Sequence, residues 1–347
     1  MQKKLPVHIS PGFETECYHN VRLSILFSQA NLRTWILSHF VNLVIQSSVP
    51  DRFPMVRFEE HLDVYHDILE EKPLNPSKSI ITSVCQAIES GSWVLLFLNW
   101  RNLDCSDHFG SSVDLIHECL IYGYDDERSE FDILAFDVNG QSYGRAKLSY
   151  EECEREFSLI YKEKNLTHQW FAYYGFPAVS IRLKKTADVE MDNKKIFFAL
   201  DRGKIPSAIK DGNINWFAAG GYVSEALGNY VLQVSDGRPL PSEEYPLWNI
   251  SNYKLILHNK LMIEKIDSLL NKSDPAKHKI LDRIKKFYLR RRNLLLKVTA
   301  YTKKFQKNGQ KPLLLEISKT YKNVFECEKR ANPIFMEYLV QEKLNEF

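Results

Sequence analysis

Cys17, His117 and Asp137 lie far apart in the chain but have the residue types that thiol chemistry requires. A nucleophilic thiol needs a stabilised thiolate, a base within hydrogen-bond reach and a group that orients the base. Cys17 follows a turn signal at Pro11–Gly12 and precedes Val21, Ile25, Leu26 and Leu32 at helical spacing. It therefore stands where a helix is predicted to begin. Unpaired N–H groups and the dipole at that end favour a thiolate, so the thiol pKa is expected to be depressed. His19 is a rival base, but residues two apart on a helix do not share a face.

The base and its orienter come from one predicted hairpin, HECLIYGYDDERSEFDILAFD, residues 117 to 137. Two apolar strands flank a polar turn at Asp125–Ser129. With the turn centred near Glu127, His117 faces Asp137 across the hairpin on one side of the sheet. A slip of one residue would break that pairing. A carboxylate beside the imidazole fixes its tautomer and stabilises the imidazolium. Asn139 shares the Asp137 face and is the alternative orienter.

These residues need elements to hold them. Residues from Cys17 to about Gln46 read as helical, with Trp35–Ile45 as a second apolar stretch. Asn75–Ser90 reads as an amphipathic helix bounded by prolines and Gly91. The period then changes to two, and Trp93–Trp100, Glu118–Tyr124, Phe131–Asp137 and Gly144–Leu148 read as strands. Ser149 and Glu152 form a capping-box signal for a helix to about Tyr161. Phe171–Lys184 reads as a further strand or two, Lys194–Leu200 as helix or strand, and Asn213–Pro246 as ambiguous. Long helices follow. In one, Ile284, Phe287, Leu294, Val298, Tyr301 and Phe305 make an apolar stripe, and the last is expected to break near Pro333. Helices, then an antiparallel sheet, then helices argue for an α+β fold.

A cysteine opening a helix near the N-terminus, a hundred residues later His–x–apolar–x–apolar–Tyr–Gly–Tyr–Asp–Asp, and a second strand ending in Asp resemble the C39-like papain-fold cysteine acyltransferases. The branch is the one typified by the butirosin acyl-transfer protein and the amide-forming enzyme of closthioamide assembly. The likeness covers about residues 8 to 160. It implies a papain-like catalytic domain over 1–205, a linker or insertion over 206–248 and a basic helical region over 249–347. It also implies Cys17 as nucleophile, His117 as base and Asp137 as orienter. The substrate would be an acyl thioester on the phosphopantetheine arm of a carrier protein, the acceptor a small amine and the product an amide of natural-product assembly. No cofactor of the protein's own is implied. One departure stands out. The family's peptidases carry a glutamine about six residues before the cysteine, where this chain has Pro11. Oxyanion donors must then come from backbone N–H groups or from Thr15 or Asn20. A thioester is already activated and asks less of that hole than a peptide does. The alternatives are a peptidase or amidase with the same three residues, and an inactive module that only grips a carrier or peptide.

The chain of 347 residues is 44% hydrophobic and 26% charged, ordinary for a globular protein. Apolar runs are too short to span a bilayer, and the N-terminus carries no signal-peptide pattern. Six scattered cysteines without a CxxC pair point to free thiols in a reducing cytoplasm. Cys85, Cys119 and Cys153 fall in packing patterns. Asp104, Cys105, Asp107 and His108 lack a second pair at zinc spacing, and His61 and His66 are badly spaced to share an ion, so no metal site is expected. Asp104, Asp107 and Asp114 are instead candidates to attract a cationic amine near His117. Net charge is only +2, but from Ile250 onward about 22 Lys/Arg face about 10 Asp/Glu. Lys285, Lys286, Arg290, Arg291 and Arg292, in a helix predicted over about 276–306, read either as a solvated helix face or as a docking patch for an acidic carrier, which the resemblance favours. No nucleic-acid recognition motif accompanies them.

Overall fold

The computed structural model describes residues 1–47, 52–74, 79–162, 177–184, 189–203 and 216–344. In chain order the elements begin β1 (Gln2–Lys4), α1 (Cys17–Leu26), α2 (Arg33–Ser38), β2 (Leu43–Ser47), β3 (Met55–Phe58), β4 (Leu69–Pro73) and α3 (Ile80–Glu89). They continue β5 (Trp93–Asn99), β6 (Ile116–Asp125), β7 (Glu130–Val138), β8 (Gln141–Ser149), α4 (Tyr150–Lys162) and β9 (Ala178–Leu183). The remainder is α5 (Asn193–Arg202), β10 (Trp216–Ala219), α6 (Tyr222–Ser235), α7 (Tyr245–Lys272), α8 (His278–Asn308) and α9 (Pro312–Leu344). Antiparallel sheets plus a helical C-terminal part make the fold α+β.

Two units divide the chain, one of residues 1–33 and 62–189, the other of 34–61 and 190–347. This differs from the division expected at 205 and 248. The reason is strand pairing: β2 lies between β3 and β10, which ties residues 34–61 to the C-terminal part. The stretch read as a linker holds β10 and α6. Trp35–Ile45 is helical only to Ser38; Phe40 then turns with a φ of 55°, and β-branched Val44 and Ile45 enter β2.

In the first unit the sheet runs β4–β9–β5–β6–β7–β8, with β1 against β6, and every pairing is antiparallel. One face is covered by α3 and α4. Ile80, Val84 and Ile88 of α3 and Cys153 and Phe157 of α4 pack on Val94, Leu96, Cys119, Ile121, Phe131 and Ile133. Each fully buried aliphatic there contributes about 1.5–3 kcal/mol. Ser79 caps α3 by accepting from Ile81 N–H, while residues 75–78 of the expected helix lie outside the described residues. The capping box of α4 is made as the sequence suggests: Ser149 Oγ accepts from Glu152 N–H and Glu152 Oε2 from Ser149 N–H. Of Phe171–Lys184, β9 is the described part.

In the second unit α7 packs on β3, where Ser251 Oγ bonds Pro54 and Val56, and α8 and α9 complete a helical core around Met262, Ile266, Leu281, Ile284, Tyr288 and Phe335. The buried positions of α8 are Leu281, Ile284, Tyr288, Arg291, Leu295, Val298, Thr302 and Phe305, alternating steps of three and four. Gly309, at a φ of 64°, ends α8. α9 continues through Pro333 instead of breaking there. Among the described residues no helix is long and apolar enough to cross a membrane.

Candidate active site

Cys17 is the first residue of α1, as the turn and the spacing suggest. Gly12 takes a φ of 86°, and Phe13 N–H donates to Asn20 Oδ1, fixing the loop before the helix. Ser24 of α1 bonds the hydroxyl of Tyr143 on β8. Tyr143 alternates with Ala146 and Leu148 of the α3/α4 core, so α1 lies on the opposite face of the sheet.

Alternation along β6 puts Glu118 on that same opposite face, since Cys119 and Ile121 point into the core. Pairing with β7 is registered from Cys119 with Ala135 onward, so His117 and Glu118 stand just beyond the registered ladder. There the two neighbours come together, with His117 Nδ1 3.3 Å from Glu118 Oε2. Trp100 anchors the strand by donating to the His117 carbonyl, and Phe136 meets the imidazole at 5.5 Å between centroids. The Cys17 thiol, an imidazole nitrogen of His117 and a carboxylate oxygen of Glu118 all lie within 4.8 Å of one another. His117 is 21% exposed and Glu118 3%.

The orienter read from the sequence is corrected by this geometry. The expected register does hold from Cys119–Ala135 to Ile121–Ile133, before a bulge shifts the turn-side pairs. Asp137, however, has a φ of 49° and is skipped in the β7–β8 register. Its carboxylate, 53% exposed, accepts from or pairs with His108 Nε2 at 3.1 Å and makes no hydrogen bond to His117. Asn139 also turns through a positive φ and donates to the Arg145 carbonyl, so it is no substitute. Glu118 is the carboxylate that the structure sets beside the imidazole. A signal for it existed: it is the lone acid inside the apolar run that follows His117.

The expected thiol pKa is corrected as well. Burial pushes the Cys17 thiol up, and the neighbouring Glu118 charge pushes it further. The hydrogen bond from Tyr18 N–H at the helix start opposes this and is outweighed. The resting group is therefore a thiol, which donates a hydrogen bond to the Glu118 carboxylate. Cys105 is pushed up to about 11 by burial and Glu152.

Other expected participants are dispersed. His19 bonds Tyr65 through Nδ1. Thr15 Oγ1 and Asn20 Nδ2 are both buried without a hydrogen-bond partner, and Asn20 lies one turn along α1 from Cys17. Of the three acids assigned to an amine, Asp114 is tied to Asn99 and Arg101, which hold its carboxyl below the usual range. Asp107 accepts from Gly140 N–H, and Asp104 donates its own N–H to Glu152. None of these contacts involves the thiol cluster. In the second unit Lys285 pairs with Asp267, and Lys286, Arg290 and Arg292 are exposed. Arg291 is not a surface group: it is 1% exposed and bonds Asn259 and Glu328. No protein-family model matches the chain, and no curated protein matches it.

Proposed function

We propose that the protein is a cysteine-dependent acyltransferase of papain-like type, moving an acyl group from a carrier-bound thioester through Cys17 to an amine. The observation that supports this reading best is the Cys17–His117–Glu118 cluster at the start of α1. Histidine and carboxylate beside a cysteine at a helix N-terminus are the parts of an activated nucleophile.

Since the resting group is a thiol, activation is by proton removal during attack and not by a standing thiolate. Sγ attacks the thioester carbonyl while His117 takes the thiol proton, and Glu118 steadies the imidazolium. The pantetheine thiol leaves with that proton. The amine then attacks acyl-Cys17, its proton passes by way of His117 to Sγ as the carbon–sulfur bond breaks, and the amide departs. Thr15 Oγ1 and Asn20 Nδ2, donors without partners, are the side chains available to a developing oxyanion. The exposed bases Lys286, Arg290 and Arg292 suit an acidic carrier protein.

Intact-mass measurement after mixing with an acyl-pantetheine thioester tests this. A single acyl adduct is expected, absent in Cys17→Ala and discharged by an added diamine with formation of the amide. Release of free acid at a rate independent of the amine would replace transfer by hydrolysis. Absence of any adduct would leave a binding module.

A further inference from the structure

We propose that Cys17, His117 and Glu118 also form a binding site for a divalent cation of zinc type, and that occupancy switches the nucleophile off. The regulatory half of this inference rests on the acyltransferase reading; the metal site does not.

Three observations carry it. The donor set is sulfur, imidazole nitrogen and carboxylate oxygen, the three ligand types that zinc takes from proteins. The donor atoms lie within 4.8 Å of one another. The one separation that is resolved atom by atom, 3.3 Å between His117 Nδ1 and Glu118 Oε2, is about the spacing of two ligands each about 2.0–2.2 Å from a tetrahedral ion. Finally, Glu118 is 3% exposed and its carboxylate meets only the Cys17 thiol and the His117 imidazole among the contacts described, so a cation replacing the thiol proton would bring a counter-charge to a buried carboxylate.

The electrostatics also fit. Binding replaces the thiol proton: Cys17–SH plus the aqua dication gives Cys17–S–metal plus one proton released to solvent. One thiolate, one carboxylate and a neutral imidazole then cancel the dication's charge, which suits a largely buried place. Three protein ligands leave a fourth position for water. With sulfur's lone pair on the metal, Cys17 cannot attack a thioester. Because a proton is released, affinity should rise about tenfold per pH unit while the thiol remains protonated.

Cobalt(II) is the probe, titrated into the full chain under anaerobic conditions. One equivalent should produce a near-ultraviolet thiolate-to-cobalt band together with intense tetrahedral visible bands, and zinc should bleach both. Cys17→Ser should abolish the thiolate band. Glu118→Gln should weaken binding by at least the roughly 10–100-fold that loss of an outer-shell partner costs. Should Glu118→Gln fail to fold, His117→Gln, at a partly exposed position, carries the same expectation. A thiolate band that survives Cys17→Ser, an affinity unchanged in the folded ligand variant, or no cobalt bound at one equivalent would each overturn the site. The two readings separate cleanly. Acylation without cobalt binding removes only the metal site, whereas a Cys17-dependent cobalt band without acylation removes only the acyltransferase. Zinc that binds without blocking adduct formation overturns the regulatory half.

Discussion

Glu118 in the first unit and Glu328 in the second are buried to the same degree, 3% exposed each, and differ in what they face. Glu328 meets Arg291, itself 1% exposed, at 3.3 Å, and the guanidinium reaches on to Asn259. Burial raises the Glu328 carboxyl, and the Arg291 charge works against that rise. Among the described residues Glu118 meets no Lys or Arg within ion-pair distance: its neighbours are a thiol and an imidazole, both of which can gain or lose a proton. A buried acid answered by a permanent charge holds helices in register. A buried acid answered by two titratable groups, one of them a thiol, has neighbours that can exchange a proton with it, which is what the proposed chemistry needs. Equal burial therefore does not mean equal purpose, and mutation should separate the two.

The largest expected effect is on turnover. Cys17→Ala should bring acyl transfer to the uncatalysed background while changing stability by about 1 kcal/mol or less, since a half-buried thiol is a small packing loss. Substantial turnover in that variant would dissolve the contrast from the first unit's side. Next comes stability in the second unit. Arg291→Leu leaves Glu328 buried without its cation and should cost about 3–5 kcal/mol in urea unfolding. Arg291→Leu combined with Glu328→Leu should recover most of that, because no charge then remains buried. A loss of less than about 1 kcal/mol in the single variant would mean that Arg291 is solvated in solution after all.

Reactivity at Cys17 gives a smaller, sharper test. Burial and the Glu118 charge hold the thiol protonated, so iodoacetamide should modify Cys17 slowly at neutral pH and faster as pH rises. The sign of the carboxylate's effect is definite. Glu118→Gln removes a neighbouring negative charge, lowers the thiol pKa and raises the thiolate fraction at a given pH. Alkylation of Cys17 should then speed up by roughly tenfold, one pKa unit's worth, although acyl transfer slows because His117 loses its orienter. Mass mapping across pH for both proteins measures this. Faster alkylation in the parent than in Glu118→Gln would show that Glu118 does not govern the thiol.

The same contrast explains what the sequence could reveal. Local signals were legible: the helix start at Cys17, the capping box at Ser149–Glu152, the strands of the hairpin and its register between Cys119–Ala135 and Ile121–Ile133. What failed depended on backbone departures that alternation does not encode. The left-handed turn at Asp137 takes its carboxylate to His108, and the end of registered β6–β7 pairing lets His117 meet its own neighbour. Pairing of residues 43–47 with a strand near 216 could not be seen locally either. Arg291 is a different case. It stands seven residues from both Ile284 and Val298, so the apolar stripe itself marked it as inward-facing, and the run of three arginines drew attention away from that spacing.

The smallest effect concerns the outer face of α8, and it uses Arg291 as its control. Exposed Lys279, Arg283, Lys286, Arg290, Lys297 and Lys304 follow one another at helical steps, and no acid occurs between Arg283 and Lys311. Neighbouring bases on this stripe sit one or two helical turns apart, so their fields add along one side of the helix. Each exposed contact with an acidic partner is worth only about 0.2–1 kcal/mol, and salt screens it. Reversing Lys286, Arg290 and Arg292 together to Glu should raise KM for a carrier-bound thioester by roughly tenfold at low salt. The difference should shrink toward nothing at high salt, where the screening length falls to about 3 Å at 1 M. Turnover of a free pantetheine thioester should stay as it was, because these residues lie outside the thiol cluster, and the urea midpoint should hardly move. Arg291→Glu should do the reverse, lowering the midpoint and leaving the salt dependence of whatever folded protein remains unaltered. A carrier KM insensitive to the triple reversal would make the outer face of α8 solvated surface and send the search for a docking site elsewhere on the chain.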